Sequence, residues 1–200
     1  RATAADFAEA AARSRKAALG NPNAQLTWDR AVDDLLAEPP LVDPLRTHDC
    51  PPISDGACAV ILAADDRARA LHDRPAWIRG IDHRVEPMAL GVRDLTTSAS
   101  TRLAGAKAGV GSGPVDVAEL HAPFSPQELV LRDALGLADH PNVNPSGGAL
   151  AANPIMVAGL IRISEVAERI MAGEASRGVA HATSGPCLQQ NLVCVLEGEG

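Results

Sequence analysis

Apolar residues recur at helical spacing in several stretches of the chain and predict amphipathic helices. The first of these, residues 4–19, starts behind a capping pair formed by Thr3 and Asp6. Residues 28–36 carry apolar side chains at positions i, i+3, i+4, i+7 and i+8, which predicts a second helix. The same reasoning predicts later helices over 65–72, 97–109, 125–136 and 154–173.

Short, continuous apolar runs predict strands that are buried on both faces. The clearest run is 57–63, which reads Ala-Cys-Ala-Val-Ile-Leu-Ala, and we expect a central strand there. Further strands are predicted over 77–81, 115–120, 178–183 and 192–196. Strands and helices alternate from residue 56 onwards. This alternation predicts an α/β fold with a mixed, largely parallel sheet and helices on both faces.

Composition narrows the class of protein. The 200 residues are 46% apolar and 22% charged, enough for a real core. The chain is only 2% aromatic and carries a net charge of −7, without a cluster of Lys and Arg, so nucleic acid is not an expected partner. No apolar run reaches the length of about 18 residues that a membrane span needs, and no signal-peptide pattern opens the chain, so we predict a cytoplasmic protein. The chain opens on Arg1 instead of Met, which predicts a piece of a longer protein.

The cysteines show no spacing typical of a zinc ribbon or a disulfide framework. They are Cys50, Cys58, Cys187 and Cys194. The histidines are scattered, so no metal site is predicted.

Polar and glycine-rich segments cluster where predicted strands end. They span residues 121–125, 144–153 and 184–191. Ligands of α/β sheets bind at the carboxyl ends of strands, where backbone N–H groups can hold an anion or a developing oxyanion. The residues alone therefore predict a site for an anionic or carbonyl substrate.

Four motifs, taken in order, resemble the C-terminal half of the thiolase family. They are Asp-Gly-Ala at 55–57 with the apolar run behind it, Glu-Leu-His-Ala-Pro-Phe-Ser at 119–125, Asn-Pro-Ser-Gly-Gly-Ala-Leu at 144–150, and the glycine-containing hairpin near the C-terminus. The chain is most similar to the sterol-carrier-protein-x or lipid-transfer-protein branch of that family.

The resemblance implies a layered α-β-α fold. Residues 1–50 correspond to the end of the family's loop domain and a linker, and 51–72 to the last strand and helix of its N-terminal half. Residues 73–200 correspond to its C-terminal half.

The resemblance also implies a function, namely acyl transfer on a lipid or sterol side-chain acyl-CoA, with a C–C bond cleaved or formed next to the thioester. Coenzyme A is then a substrate, and no bound cofactor is expected. The family's acylated cysteine lies in the N-terminal half, outside these residues. Two alternatives stay open, a retro-aldolase acting on a β-hydroxyacyl-CoA and a non-catalytic subunit. Expected partners are a second copy or a thiolase homologue in a dimer, and a small OB-fold protein.

Three residues are candidates for catalysis through this resemblance. His121 matches the His of the family's His-Asp-Cys/Ala-Phe motif, which implies an oxyanion-hole role through a bound water. Asn153 replaces the His of Gly-His-Pro; it cannot take a proton, and it either caps a helix or donates a hydrogen bond to a carbonyl. Cys187 lies two residues after Gly185, which occupies the position of the family's Cys-x-Gly cysteine. Cys187 is either an acid/base group or a half-buried turn cysteine.

Four further residues are predicted to contact substrate. Phe124 belongs to the same motif as His121, and Gly185 belongs to the C-terminal hairpin. Gly147 and Gly148 form a tight turn, and we expect them to combine a turn requirement with close approach of backbone to substrate.

Overall fold

The computed structural model describes residues 2–199 and arranges them as a four-stranded sheet between helices. The helices are α1 (Ala4–Ala17), α2 (Val32–Leu36), α3 (Asp65–Leu71), α4 (Ala99–Ala108), α5 (Ser125–Ala134), α6 (Gly148–Ala151) and α7 (Ala158–Met171). The strands are β1 (Trp77–Val85), β2 (Val117–Leu120), β3 (Arg177–Ser184) and β4 (Gln190–Glu197).

The sheet has the order β1-β4-β3-β2. Neighbouring strands β2 and β3 are parallel, whereas β4 is antiparallel to both β3 and β1, so β1, β2 and β3 run in one direction. The predicted mixed α/β architecture is confirmed, and among the four described strands only β4 is reversed. The reason is the short loop 185–189, which joins β3 to β4 and leaves room only for an antiparallel hairpin.

Strands β2, β3 and β4 contribute buried residues to both faces of the sheet, as predicted, whereas β1 at its edge has no buried residue. On one face Val117, Ala180 and Cys194 pack against α7 in one apolar cluster. On the other face a second cluster joins strand residues such as Ala118 and Leu120 to α4 and α5. Successive residues of a strand point to opposite faces, so the continuous apolar runs supply both clusters at once.

The N-terminal segment follows its prediction only in part. The Thr3–Asp6 capping box is present at the start of α1. The second predicted helix is shorter than 28–36, because α2 begins only at Val32. Trp28 lies before it with its ring between the guanidinium groups of Arg15 and Arg30, each 5.6 Å from the ring centre. These cation–π contacts involve α1, so helical spacing within 28–36 could not reveal them.

The predicted central strand at 57–63 does not form. The segment is irregular, and no strand in the described part of the chain pairs with it. Its side chains reach solvent, with Ile61 89% and Leu62 77% exposed. A strand needs a neighbour to satisfy its backbone N–H and C=O groups, and residues 2–199 offer it none.

Candidate functional site

The polar groups of the candidate site lie at one end of the sheet, where the parallel strands β2 and β3 end. His121 directly follows β2, and Thr183 lies at the end of β3. The His121 backbone N–H donates to the His181 carbonyl across the parallel pair, at 3.2 Å. The connection from α6 to α7 brings Asn153 to the same end. The predicted clustering of polar groups at strand ends is therefore present in the fold.

His121 and Asn153 form a buried pair. The His121 Nε2 atom lies 3.3 Å from Asn153 Oδ1, and the Thr183 backbone N–H donates to His121 Nδ1, also at 3.3 Å. A backbone N–H can only donate, so Nδ1 is the acceptor and the ring proton sits on Nε2, from which it is donated to Asn153. Both side chains belong to residues that are only 5% exposed.

Burial also controls the charge of His121. Desolvation is the largest cause of a pKa lowered to about 4, and the hydrogen bond to Asn153 and the one from Thr183 oppose it incompletely. The imidazole is therefore neutral at physiological pH. A neutral ring of this tautomer offers one N–H donor and does not serve as a cationic acid.

An apolar cavity of about 710 Å³ opens beside the pair. Five of the predicted site residues line it, which are His121, Phe124, Asn153, Gly185 and Cys187. Its remaining walls include apolar side chains from the connection before α7, from α7 itself and from β4, among them Ile155, Met156, Leu160, Ile163 and Leu192. The tertiary structure thus joins motifs that are far apart in sequence around one space.

Gly147 and Gly148 do not line this cavity, although Gly148 borders another pocket, of about 480 Å³, and their contact with substrate stays a prediction. A Cβ atom on Gly147 would come within 2.5 Å of the Ala18 Cβ, and the residue has a φ of +92°. The turn therefore needs glycine because it packs closely on the chain after α1 and adopts the left-handed conformation. The geometry supports the turn requirement and gives no support to substrate contact in this cavity.

The structure also distinguishes the two roles predicted for Asn153, which were to cap a helix and to donate a hydrogen bond to a carbonyl. The next long helix, α7, begins only at Ala158, and its cap residue Val157 makes no side-chain capping bond. Asn153 is thus not the N-cap, and its amide oxygen accepts from His121 instead. In residues 2–199 its amide nitrogen has no hydrogen-bond partner, so it is the donor left for a ligand in the cavity.

Cys187 lies in the loop between β3 and β4 and is exposed, which contradicts the half-buried alternative. Its φ of +53° places it in the left-handed region, as does the φ of +58° at Leu188. Residues other than glycine adopt this region rarely, and here two neighbours do so, of which Cys187 lines the cavity and Leu188 packs in the apolar core.

A buried ion pair under the site was missed in the sequence. Glu119 is fully buried within β2 and accepts from Arg162 Nη1 at 2.6 Å and from the Ser146 backbone N–H at 2.9 Å. It therefore ties β2, α7 and the 144–148 turn together. A charged residue inside the apolar run 115–120 was the available signal, because an unpaired carboxylate is not tolerated there.

Comparisons with known proteins agree with this architecture. No protein-family profile matches the chain. The chain is 31% identical over 191 residues to an acetyl-CoA acetyltransferase of Methanothermobacter thermautotrophicus, covering 84% of itself and 50% of that relative. It is 26% identical to sterol carrier protein 2 of Oryctolagus cuniculus, covering 93% of itself and 39% of that protein. The chain is thus similar to thiolase-type proteins and to sterol carrier protein 2, in agreement with the resemblance of its motifs to the thiolase family.

Solved structures show the same thiolase-like fold. An Ltp2-ChsH2(DUF35) aldolase superposes with a TM-score of 0.77 over 98% of this chain and 59% of its own, at 24% identity. A monomeric SCP2-thiolase-like protein from Mycobacterium smegmatis gives a TM-score of 0.74 over 98% of this chain and 47% of its own, at 20% identity. The chain thus spans about half the length of the curated relatives it matches, or less.

Within residues 2–199, no group of three or more His, Cys, Asp and Glu side chains is placed to hold a metal ion. No helix in that range is long and apolar enough to cross a membrane.

Two buried histidines predict a pH-dependent stability of this thiolase-like chain. Burial lowers the pKa of His121 to about 4 and that of His181 to about 3, whereas the usual value is 6.5. Below pH 6.5 the unfolded chain binds more protons than the folded one, so stability is full above that pH and falls as pH drops towards 4. The slope approaches about 1.4 kcal/mol per pH unit for each histidine. Urea unfolding between pH 7.5 and about 4.5 measures it.

The variants His121→Asn and His83→Asn test the assignment, because His83 is exposed. We expect His121→Asn to reduce the slope of the unfolding free energy against pH by about 1.4 kcal/mol per pH unit, the contribution of one proton. His83→Asn should leave the slope unchanged. Equal slopes for wild type and His121→Asn would show that His121 is not held neutral by folding.

Proposed function

We propose that this chain supplies the enolate-stabilising part of an enzyme that cleaves or forms a C–C bond next to the thioester of an acyl-CoA. The observation that carries the proposal is the buried His121–Asn153 pair at the edge of an apolar cavity. A neutral amide donor that a neutral imidazole holds in place, in a desolvated site, is suited to an oxygen on which negative charge develops.

The chemistry follows from where the electrons go. When the bond between the α and β carbons breaks, its electron pair stays on the α carbon and is shared with the thioester oxygen as an enolate. The Asn153 amide N–H₂ donates to that oxygen, and His121 holds the amide in place through its oxygen. A proton then returns to the α carbon. Cys187, on the same cavity wall, is the proposed source of that proton.

The first candidate reaction is acyl transfer of the thiolase type, in which the β-carbonyl fragment passes to free coenzyme A. It is supported by the acetyl-CoA acetyltransferase that is 31% identical to this chain. The apolar lining from Ile155, Met156 and Leu192 suits the hydrocarbon part of a lipid or sterol side-chain acyl group.

The second candidate reaction is retro-aldol cleavage of a β-hydroxyacyl-CoA, which needs no acyl-enzyme. A specific observation favours it, since Asn153 occupies the position of the histidine that orients or activates the family's nucleophile, and retro-aldol cleavage needs no nucleophile. In this reaction Cys187 takes the β-hydroxyl proton and returns a proton to the α carbon, so no net proton is consumed. The likeness to the Ltp2-ChsH2(DUF35) aldolase agrees with it at the level of the fold. A non-catalytic subunit that pairs with an active homologue is the third candidate.

The segment 57–63 is the proposed contact with the other half of the fold. It carries exposed apolar residues and lacks a strand partner in residues 2–199. We assign it to the sheet of the complementary thiolase half, on the same polypeptide or another. A dimer with a second copy or a homologue, and a small OB-fold partner, complete the proposed assembly.

Single-turnover cleavage distinguishes the candidates. The chain together with its complementary half is given a β-ketoacyl-CoA with free coenzyme A, or a β-hydroxyacyl-CoA alone, and products are followed by mass. Coenzyme-A-dependent formation of two acyl-CoA products supports acyl transfer. Release of a ketone or aldehyde without coenzyme A supports the aldolase. Failure in both assays, with and without an OB-fold partner, contradicts an enzymatic function and favours the subunit.

A further inference from the structure

The loop 185–188 forms the cavity wall that carries Cys187, and its conformation is one that few sequences adopt unaided. Gly185, Cys187 and Leu188 all have φ values in the left-handed region, at +74°, +53° and +58°. Only the first is glycine. A loop with two adjacent left-handed residues that carry side chains persists only where its surroundings hold it in place.

Arg93 contacts this loop with both ends of its guanidinium group. Its Nη1 donates to the Cys187 carbonyl at 3.1 Å, and its Nη2 donates to the Pro186 carbonyl at 3.0 Å. The side chain is only 5% exposed, although Arg93 itself lies in the connection between β1 and α4. Two donors in a fixed planar fork set the direction of two successive peptide groups, which a point charge cannot do.

The Glu86 carboxylate forms an ion pair with the guanidinium group of Arg93. Glu86 follows the last residue of β1, and its carboxylate lies 3.7 Å from Arg93 Nη1. The Glu86 carboxylate accepts from the Ser100 backbone N–H at 3.0 Å and from the Ser100 hydroxyl at 2.6 Å, at the start of α4. Its own backbone N–H donates to the Gln189 carbonyl at 2.8 Å, which extends the β1–β4 pairing to the loop.

A second anchor reaches the loop from the core. The buried Asn191 in β4 donates from Nδ2 to the Leu188 carbonyl at 2.7 Å and to the Ser100 hydroxyl at 2.7 Å. Its Oδ1 lies 2.9 Å from His181 Nε2. Three successive carbonyls, at residues 186–188, therefore each accept from a side-chain donor. Arg93 supplies two of these donors, and among the side chains of residues 2–199 it is the one that donates to Cys187, which lines the cavity.

We propose that Arg93, anchored by Glu86, is a positioning residue that fixes the 185–188 loop and thereby places Cys187 in the cavity wall. This inference deepens the proposed function and rests on it for its kinetic consequence. Loss of the guanidinium group frees the Pro186 and Cys187 carbonyls, and the left-handed residues are then free to relax. Cys187 spends less time in position, so turnover falls more than substrate affinity.

The test uses Arg93→Met, which keeps the apolar stem, and Arg93→Lys, which keeps the charge beside Glu86. Amide hydrogen exchange of the buried Leu188, and of Glu86, whose N–H donates to the Gln189 carbonyl, reports the loop. The reaction is followed by kcat and KM with the substrate that the wild type cleaves. We expect exchange to rise about tenfold or more in Arg93→Met, since two charge-assisted hydrogen bonds are lost. We expect kcat to fall about tenfold with KM changed less than twofold. Arg93→Lys should lie between Arg93→Met and wild type in both measurements.

Arg79→Met is the matched control, because Arg79 is 54% exposed and pairs with Glu197 away from the loop. It should change neither exchange in the loop nor kcat. Unchanged exchange in Arg93→Met overturns the proposal whatever the activity, and so does raised exchange with an unchanged kcat. If the wild type cleaves neither substrate, the proposed function fails, whereas the exchange data still decide whether Arg93 holds the loop.

Discussion

His121→Ala is expected to lower kcat for the preferred acyl-CoA about 10²–10³-fold, which is the effect of removing an oxyanion-stabilising group in a desolvated site. The change removes the ring that holds the Asn153 amide oxygen at 3.3 Å, so the amide loses its orientation towards the thioester oxygen. Single-turnover rates at saturating substrate measure the loss, and urea unfolding shows whether the fold persists.

Asn153→Ala completes a double-mutant cycle with His121→Ala. The two side chains act through one hydrogen bond, so the double variant should be about as slow as either single variant. His83→Ala, which changes an exposed histidine of β1, is the control for loss of an imidazole. Rates that fall independently, so that the two losses multiply, would show that His121 and Asn153 do not act as one unit.

Arg162→Met is expected to lower the free energy of unfolding by about 3–5 kcal/mol, the typical cost of leaving a buried charge without its partner. Glu119 is fully buried, and Arg162 is 3% exposed and donates to it at 2.6 Å. After the change, Glu119 keeps only the Ser146 backbone N–H and hydroxyl as donors, at 2.9 and 2.7 Å. Urea unfolding at pH 7.5 measures the loss.

The double variant Arg162→Met with Glu119→Gln removes both charges and should recover part of this loss, because no carboxylate is then left unpaired. Arg79→Met, which breaks an exposed ion pair, should cost about 1 kcal/mol or less. A loss for Arg162→Met as small as that of Arg79→Met would contradict the structural role of the pair.

Local features of the fold were predictable because their causes lie within a few residues. The Thr3–Asp6 capping box starts α1 as expected, and Gly109, which follows α4, adopts a φ of +87°. The placement of polar residues at the ends of β2 and β3 was also foreseeable, since parallel strands bring their carboxyl ends together.

One predicted strand failed because a strand depends on its neighbours. The run 57–63 has the composition of a buried strand, yet residues 2–199 contain no strand that pairs with it. The direction of β4, opposite to that of the other three strands, follows from the loop 185–189, which closes a hairpin that alternation of strands and helices does not reveal.

The sequence by itself determined most of the helices and strands, the capping box before α1 and the family motifs, because these depend on spacing and residue type along the chain. Only the tertiary structure decided that Asn153 accepts a hydrogen bond from His121 instead of capping α7. It also decided that Gly147 packs closely against Ala18. It also decided that Arg93 lies beside the Glu86 carboxylate and donates to the carbonyls of Pro186 and Cys187. Such contacts join residues tens of positions apart, and their energies depend on burial and distance, which exist only once the chain has folded.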